Sequence, residues 1–128
     1  MPFSAFFFFL DPDLAGLLSA VADASVKLSD AVRNAPLRNL TGAMNTTNVQ
    51  GEIVQKLDDY SNQVLMDYCK ASVACAGYLS EENEGVTTMN ETGSLVIAVD
   101  PLDGSSNIDI AAPIGTIFAI WKRKSVAG

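Results

Sequence analysis

The chain has 128 residues, and its 15 acidic and 8 basic residues give a formal net charge of −7 without any histidine. Hydrophobic residues make up 48% and charged residues 18%, which excludes a disordered chain and predicts one folded domain. The lack of histidine excludes imidazole-based catalysis and imidazole metal sites, and the negative charge argues against nucleic acid as a partner. Carboxylates are therefore the plentiful acids, bases and ligands, and they favour a hard, oxygen-bound cation.

The first residues form an unusual segment, because five of the six phenylalanines lie within the first nine positions. The segment has no basic leader and no small-residue cleavage site, and its apolar run is about half the length needed to cross a bilayer. We therefore expect neither a signal peptide nor a membrane anchor. Residues 1–11 are predicted to be an atypical Phe-rich segment that precedes a domain over residues 12–128.

Apolar residues at helical spacing predict two amphipathic helices. The first is predicted from Asp13 to about Asn34, ending before Pro36, since a residue that precedes proline avoids the helical conformation. A polar, glycine-containing stretch from Asn39 to Gly51 then predicts a long loop. The second helix is predicted to run from about Glu52 to Ala74.

The two cysteines lie near the end of the second predicted helix. Cys69 and Cys75 are six positions apart, which corresponds to about 240° around a continuous helix. This spacing predicts that they point to different faces, and it matches no metal-binding or redox motif. It favours two buried thiols in a reducing compartment, and we expect a cytoplasmic protein.

After Gly77 the apolar runs become short, which predicts strands. The runs are Tyr78–Ser80, Ser94–Val99 and Thr116–Trp121. The first two are followed by acidic residues, at the end of the strand where open α/β sheets place ligands. We expect a layered α+β fold in which two long helices pack on a sheet. The pattern does not determine strand order or direction.

The most informative stretch is DPLDGSSN at positions 100–107. A turn at Pro101 would bring Asp100 and Asp103 to one side of a metal ion. The Gly104-Ser105-Ser106 segment offers unhindered amides and two hydroxyls, so a phosphate could bind there beside the metal if a short helix begins at this point. Carboxylates repel phosphate unless a cation such as Mg²⁺ or Mn²⁺ is bound. The alternative is an ordinary Asp-Pro turn with serines that cap a helix.

Two other acidic pairs are weaker candidates. Glu81 and Glu82 follow a strand, and adjacent residues of an extended chain face opposite ways, so at most one could bind the same metal directly. A solvated loop is the alternative for this pair. Glu52 and Asp58 would lie roughly 120° apart on a continuous helix, so joint action requires Glu52 to lie on the entering loop. An exposed acidic helix face is the alternative here.

Five motifs occur in order along the chain: NVQGE at 48–52, KLD at 56–58 with Ser61-Asn62, SEE at 80–82, DPLDGSSNID at 100–109 and GTIF at 115–118. Together they resemble the N-terminal part of class I fructose-1,6-bisphosphatase. The DP-x-DG-[ST] pattern alone would indicate only the wider lithium-sensitive, metal-dependent phosphatase superfamily. The extended SSNID, GTIF, NVQGE and KLD motifs indicate the fructose bisphosphatase branch.

The resemblance implies Mg²⁺-dependent hydrolysis of the 1-phosphate of fructose 1,6-bisphosphate to fructose 6-phosphate and phosphate, by direct attack of water, with Mn²⁺ as a substitute metal. The implied metal ligands are Glu81, Asp100, the backbone carbonyl of Leu102, and Asp103. The implied substrate contacts are Asp103, Gly104, Ser105 and Ser106. The implied catalytic carboxylates are Glu52 and Asp58, which would help to activate water, and Glu82, which would handle protons.

Chains of this family are more than twice as long, and their second half supplies most of the sugar pocket. The resemblance therefore implies a fold that is incomplete at the C-terminus, and a full-length protein that is a homo-oligomer, a tetramer in the family. Two alternatives remain. The chain could be a truncated, non-catalytic fragment that binds metal weakly or associates with another subunit. It could also act on sedoheptulose bisphosphate or another small phosphate ester.

Overall fold

The computed structural model describes residues 11–39, 47–110 and 112–125. The elements in chain order are α1 (Pro12–Asn39), α2 (Thr47–Ala71), β1 (Cys75–Ser80), β2 (Val86–Thr88), β3 (Leu95–Asp103), a 3₁₀ helix η1 (Ser105–Ile110) and β4 (Gly115–Lys122). The Phe-rich run over residues 1–10 lies outside the described residues. Within the described ranges, no helix is both long and apolar enough to cross a membrane.

The four strands form one mixed sheet in the order β2-β1-β3-β4. β1 and β3 are parallel, and the other two pairings are antiparallel. Residues from both helices and from the central strands share a single hydrophobic core, so the helices pack on this sheet as expected for a layered α+β fold. The core residues are Leu17, Val21, Ala24, Leu28, Val64, Leu65, Cys69, Ala74, Cys75, Tyr78, Leu95, Ile97 and Val99.

Helix α1 begins at a capped N-terminus. The Asp11 carboxylate accepts hydrogen bonds from the backbone amides of Asp13 (3.0 Å) and Leu14 (3.3 Å), and Pro12 occupies the first helical position, where its missing N–H costs nothing. The prediction that the helix ends before Pro36 was wrong, because α1 continues to Asn39. A proline removes only the hydrogen bond that its own N–H would donate. In the last turns of a helix, the hydrogen bonds of the earlier turns are therefore unaffected.

Helix α2 begins at Thr47, so the predicted loop was wrong over residues 47–51. Residues 40–46 lie outside the described ranges. The polar composition and Gly51 suggested a loop, but glycine in an exposed helix costs only about 1 kcal/mol and tertiary packing overrides it. The helix ends at Ala71, before the predicted Ala74.

A tight connection joins α2 to β1. The amide of Ser72 bonds the carbonyl of Cys69 (3.1 Å), and the amide of Cys75 bonds the carbonyl of Ser72 (3.0 Å). Because the helix stops between the cysteines, the prediction that they point to different faces was wrong: both are free and buried in the same hydrophobic core. The expectation of two buried thiols is confirmed.

The three predicted strands are all present, and the three-residue strand β2 was missed. β3 extends through Asp100 to Asp103, so the predicted turn at Pro101 was wrong. The pairing of β3 with β4 is irregular between Asp100 and Asp103, and a bulge of this kind tolerates proline within a sheet. The chain turns instead at Gly104, which has a φ of 82° that favours glycine.

Gly93 lies where the chain passes close to the start of β1. An added Cβ would lie 2.6 Å from the backbone nitrogen of Ala76 and 2.8 Å from the carbonyl oxygen of Ala74. We expect Gly93→Ala to lower the free energy of unfolding by about 1–3 kcal/mol, because the obstructing atoms are backbone. Urea denaturation would measure this loss.

Gly51→Ala is the matched control, since a Cβ at Gly51 meets nothing within 4 Å. In the helix this change should stabilise the chain by about 0.5–1 kcal/mol. Equal effects of the two substitutions would contradict the close packing described at Gly93.

Candidate functional site

Two parallel strands bring acidic residues to one edge of the sheet. β1 and β3 are neighbours, and Ser80 pairs with Val99, so Glu81 and Asp100 follow at matching positions. The carboxyl ends of adjacent parallel strands open at the same edge, which is where α/β sheets place ligands. The carboxylates of Asp58, Glu81, Glu82 and Asp100 gather there, and we call these four residues the acidic edge.

Asp58 reaches the acidic edge from helix α2. Burial raises the pKa of its carboxyl group, and the charges of Asp100 and Asp59 raise it further. A hydrogen bond with the side chain of Ser105, the first residue of η1, acts in the opposite direction on this pKa. Asp58 therefore links helix α2 to both the strand end and the serine segment.

Glu81 and Glu82 lie in a turn after β1. The amide of Asn83 bonds the carbonyl of Ser80 (3.1 Å), which closes this turn. Loss of hydration is the largest cause that raises the pKa of both glutamates. For Glu81, the charge of Asp100 and an interaction between the two carboxyl groups raise the pKa further. For Glu82, the next cause is the charge of Asp58. The two glutamates lie in a turn and not on an extended chain, so the rule that adjacent residues alternate sides does not apply to them.

Asp100 supplies the feature that best fits a cation. Its Oδ1 atom is buried and has no hydrogen-bond partner among the described residues. An unpartnered carboxylate oxygen beside three other carboxylates suits a hard divalent ion such as Mg²⁺, which prefers oxygen ligands. Over residues 11–39, 47–110 and 112–125, no group of three or more Asp, Glu or Cys side chains is arranged so that it could bind a metal ion. The oxygen atoms at the acidic edge are of the type that Mg²⁺ prefers, but the described side chains do not form a complete set of ligands.

The other candidate residues are placed less centrally. Asp103 is exposed at the end of β3 and is not among the charges that raise the pKa values of Asp58, Glu81 and Glu82. Leu102 is buried beside it. Glu52 is an exposed residue inside α2 rather than on an entering loop, about 120° around the helix from Asp58. The structure therefore does not bring Glu52 together with Asp58 in the way that joint action requires.

The serine segment lies between β3 and β4. A Cβ at Gly104 would lie 3.1 Å from the carbonyl oxygen of Pro113, which leaves little room for a side chain. Ser105 is half-buried and contacts Asp58, whereas Ser106 is exposed. A short helix, η1, does begin after Gly104, which meets the condition stated for phosphate binding in the sequence analysis.

A buried polar network, which the sequence analysis missed, supports the turn of Glu81 and Glu82. The Tyr78 hydroxyl donates to Oδ1 of Asn62 (3.1 Å), and Nδ2 of Asn62 donates to Oδ1 of Asn83 (2.9 Å). Nδ2 of Asn83 in turn donates to the Thr87 hydroxyl (3.4 Å). This network ties α2 to β1 and to the turn. The available signal was Asn62, a polar residue within the apolar stripe of α2.

Removing the Tyr78 hydroxyl tests this network. Burial raises the pKa of Tyr78, so the neutral hydroxyl remains a donor. Tyr78→Phe leaves the buried Asn62 oxygen without this partner, and we expect a loss of about 1–3 kcal/mol in the free energy of unfolding. Tyr60→Phe is the control, because Tyr60 is 45% exposed and should change stability by less than about 0.5 kcal/mol. A similar loss in both variants, measured by urea denaturation, would refute the network's contribution.

The chain is similar in sequence to known fructose-1,6-bisphosphatases. The family model described as fructose-1-6-bisphosphatase, N-terminal domain, matches residues 5–128. A class 1 fructose-1,6-bisphosphatase of Alkalilimnicola ehrlichii is 44% identical over 110 residues, covering 84% of this chain and 33% of that protein. Fructose-1,6-bisphosphatase isozyme 2 of Bos taurus is 43% identical over 115 residues, covering 88% of this chain and 34% of that protein.

A solved structure also matches. The crystal structure of Leishmania major fructose-1,6-bisphosphatase in holo form aligns with a TM-score of 0.79 and 26% sequence identity, covering 96% of this chain and 38% of that one. The chain thus spans about a third of the length of the curated relatives that it matches.

Proposed function

This chain belongs to the fructose-1,6-bisphosphatase family, and we propose that its acidic edge is the metal-binding part of an Mg²⁺-dependent phosphatase. The proposed reaction removes the 1-phosphate of fructose 1,6-bisphosphate by attack of water and yields fructose 6-phosphate. The observation that supports it most is the parallel pairing of β1 and β3, which places Glu81 beside Asp100. The family is one of phosphoric monoester hydrolases.

Four groups would hold the metal in this proposal, namely Glu81, Asp100, the backbone carbonyl of Leu102, and Asp103. The unpartnered Oδ1 of Asp100 and the mutual repulsion at the acidic edge support the first two. When bound, Mg²⁺ or Mn²⁺ would lower the pKa of a water molecule and offset the charge of the phosphate. Without a cation, the same carboxylates would repel the substrate.

Asp58 and Glu82 would handle protons. The raised pKa values of both carboxyl groups bring them nearer to neutral pH, which suits a group that accepts and returns a proton. The Ser105 side chain lies near enough to Asp58 to lower the pKa of its carboxyl group, against the effect of burial. Glu52 would have to assist from the exposed face of α2, so its part in activating water depends on a rearrangement of the start of that helix.

The serine segment would hold the phosphate. Gly104, Ser105 and Ser106 offer backbone amides and two hydroxyls next to Asp58, and Asp103 lies just before them. Unhindered backbone amides can donate hydrogen bonds to a phosphate once a cation has offset the negative charge of the nearby carboxylates.

The setting of the site is also part of the proposal. We propose a cytoplasmic protein, in keeping with two free thiols, and a homo-oligomeric, tetrameric whole enzyme. The relatives are about three times as long as the matched part. A chain that binds the cation without catalysis, and one that acts on sedoheptulose bisphosphate or another small phosphate ester, are the competing outcomes.

Phosphate release tests the proposal directly. The 128-residue chain is incubated with fructose 1,6-bisphosphate, sedoheptulose bisphosphate or fructose 6-phosphate, with Mg²⁺ or with a chelator. The proposal expects Mg²⁺-dependent release that is fastest with fructose 1,6-bisphosphate. Faster release from sedoheptulose bisphosphate would replace the substrate. Cation binding without any release, by a chain that unfolds cooperatively, would favour the non-catalytic alternative.

A further inference from the structure

Strand β4 has one open side. β3 pairs with one side of it, and over the part of the chain that the structure describes no strand pairs with the other side. Three of its large apolar side chains are exposed, namely Ile117 (57%), Phe118 (41%) and Trp121 (55%). An edge strand of this kind is a template for pairing with another chain. We propose that β4 pairs antiparallel with β4 of a second copy of this chain, so that two four-stranded sheets become one.

The hydrogen bonds of β3 identify the backbone groups on the open side of β4. The amide of Arg123 bonds the carbonyl of Ser94 (2.7 Å), whereas the amide of Leu95 bonds the carbonyl of Ala74, just before β1 (2.9 Å). Ser94 and Arg123 continue the β3–β4 register, in which Leu95 pairs with Lys122. Backbone groups alternate in direction along an antiparallel strand. The groups on the open side are therefore those of Thr116, Phe118, Ile120 and Lys122.

One antiparallel register uses all of these backbone groups. It places Ala119 of the two copies opposite each other on a twofold axis. Phe118 of one copy then exchanges hydrogen bonds with Ile120 of the other, and Thr116 exchanges them with Lys122. Because of the twofold axis, each of these pairs occurs twice.

The same register covers the exposed apolar side chains of β4. Ile117 of one copy lies opposite Trp121 of the other on one face of the sheet, and Phe118 lies opposite Ile120 on the other face. Cross-strand pairs of an aromatic with a β-branched side chain stabilise neighbouring strands. All three exposed apolar side chains thus gain a partner.

Charge favours the antiparallel direction. Lys122 and Lys124 are exposed at one end of β4, and β3 places Asp100 and Asp103 beside the other end. Antiparallel pairing brings the basic end of one copy near the acidic end of the other, about two strand spacings or 10 Å away. Parallel pairing would place like charges together, which destabilises a sheet.

The mass of the chain in solution tests the contact. Sedimentation equilibrium of the unmodified 128-residue chain should show a concentration-dependent dimer at physiological ionic strength, where the net charge of −7 on each copy is screened. Ile117→Lys removes two cross-strand pairs and should raise the dissociation constant at least about tenfold. Val26→Lys is the matched control, because Val26 is 64% exposed on α1, and it should change this constant by less than about threefold.

A backbone variant keeps the test independent of side-chain charge. Phe118→Pro removes an amide on the open side of β4 and leaves the bonds to β3 in place, a position at which edge strands tolerate proline. We expect it to raise the dissociation constant at least about tenfold. A monomer at every concentration of the unmodified chain, or equal effects of Ile117→Lys and Val26→Lys, would overturn the proposal.

Cysteine cross-linking tests the direction and register of the pairing. Ala119→Cys places two thiols opposite each other on the twofold axis, whereas Lys122→Cys leaves them about 20 Å apart. The native Cys69 and Cys75 are buried. In a glutathione redox buffer, Ala119→Cys should form linked dimers at least about tenfold faster than Lys122→Cys, because a disulfide needs closely spaced Cα atoms. Equal rates would overturn the antiparallel register.

Cover of β4 by residues 1–10 of the same chain is the competing outcome. It predicts a monomer in which the thiol of Ala119→Cys resists alkylation until denaturant is added. That result would overturn pairing between copies, and so would a monomer whose thiol is alkylated at once.

Discussion

Replacing Asp100 by asparagine is expected to weaken Mn²⁺ binding to the folded chain by at least about 100-fold. The change keeps the shape of the side chain and removes the charge from the residue whose Oδ1 lies buried without a partner. Substitutions of groups that merely orient metal ligands cost about 10–100-fold in affinity, so loss of a charged ligand should cost no less. Titration followed by Mn²⁺ electron paramagnetic resonance or by calorimetry measures the dissociation constant.

Asp23→Asn is the matched control for this experiment. It removes the same charge from an exposed position on α1, and so it separates loss of a ligand from a general decrease in negative charge. Its dissociation constant should stay within about threefold of the unmodified value, since Asp23 is not among the charges that act on Asp58, Glu81 or Glu82, and an exposed surface charge is screened by salt. Retention of Mn²⁺ affinity within tenfold by Asp100→Asn would remove this residue from the proposed ligand set.

Replacing Asp58 by asparagine is expected to lower the rate of phosphate release by about 100-fold or more, with less effect on Mn²⁺ affinity than Asp100→Asn. A positioned general base contributes about 10²–10⁴-fold to a rate. Asp58 is partly buried, and this burial raises the pKa of its carboxyl group, as this role needs. Initial rates at saturating Mg²⁺ measure kcat, and a metal titration on the same samples gives the affinity.

Asp59→Asn tests whether the effect belongs to Asp58 in particular. Asp59 is the next residue of α2 and is exposed, and its carboxylate accepts a hydrogen bond from Gln55 (3.0 Å) on the helix surface. The Asp59 variant should keep its rate within about threefold, because its charge acts on the acidic edge only at a distance. Equal losses at positions 58 and 59 would show that the total charge of the helix matters and would contradict a proton-handling role for Asp58.

Most of the helices and strands could be predicted because the apolar residues that each element buries recur at a regular spacing along the sequence. Apolar spacing in α1, α2 and β3 matches the face that each element buries, and the layered α+β fold follows from it. The same pattern placed acidic residues after the predicted strands Tyr78–Ser80 and Ser94–Val99, although Asp100 and Asp103 lie within β3. It could not show that these strands are parallel neighbours, since pairing is decided by contacts between residues far apart in sequence.

The wrong predictions have a common origin, because each applied a preference of neighbouring residues where the end of an element or a distant contact decides the structure. Cys69 and Cys75 were assigned to different faces on the assumption that one helix contained both, and the helix stops at Ala71. Pro101 suggested a turn, but a bulged strand accommodates it. Asn83 was overlooked because a polar residue in a loop normally faces solvent, and only the folded chain brings it to Asn62.

The central claim, that the acidic edge is a cation site, is tested most directly by thermal unfolding of the 128-residue chain with and without Mg²⁺. A ligand that binds only the folded state adds about 2.7 kcal/mol at a concentration 100 times its dissociation constant. For a domain of this size that corresponds to a rise in Tm of several degrees. We expect this rise in the unmodified chain and in Asp23→Asn, and its loss in Asp100→Asn. A Tm that Mg²⁺ leaves unchanged, or raises equally in all three proteins, would contradict the claim.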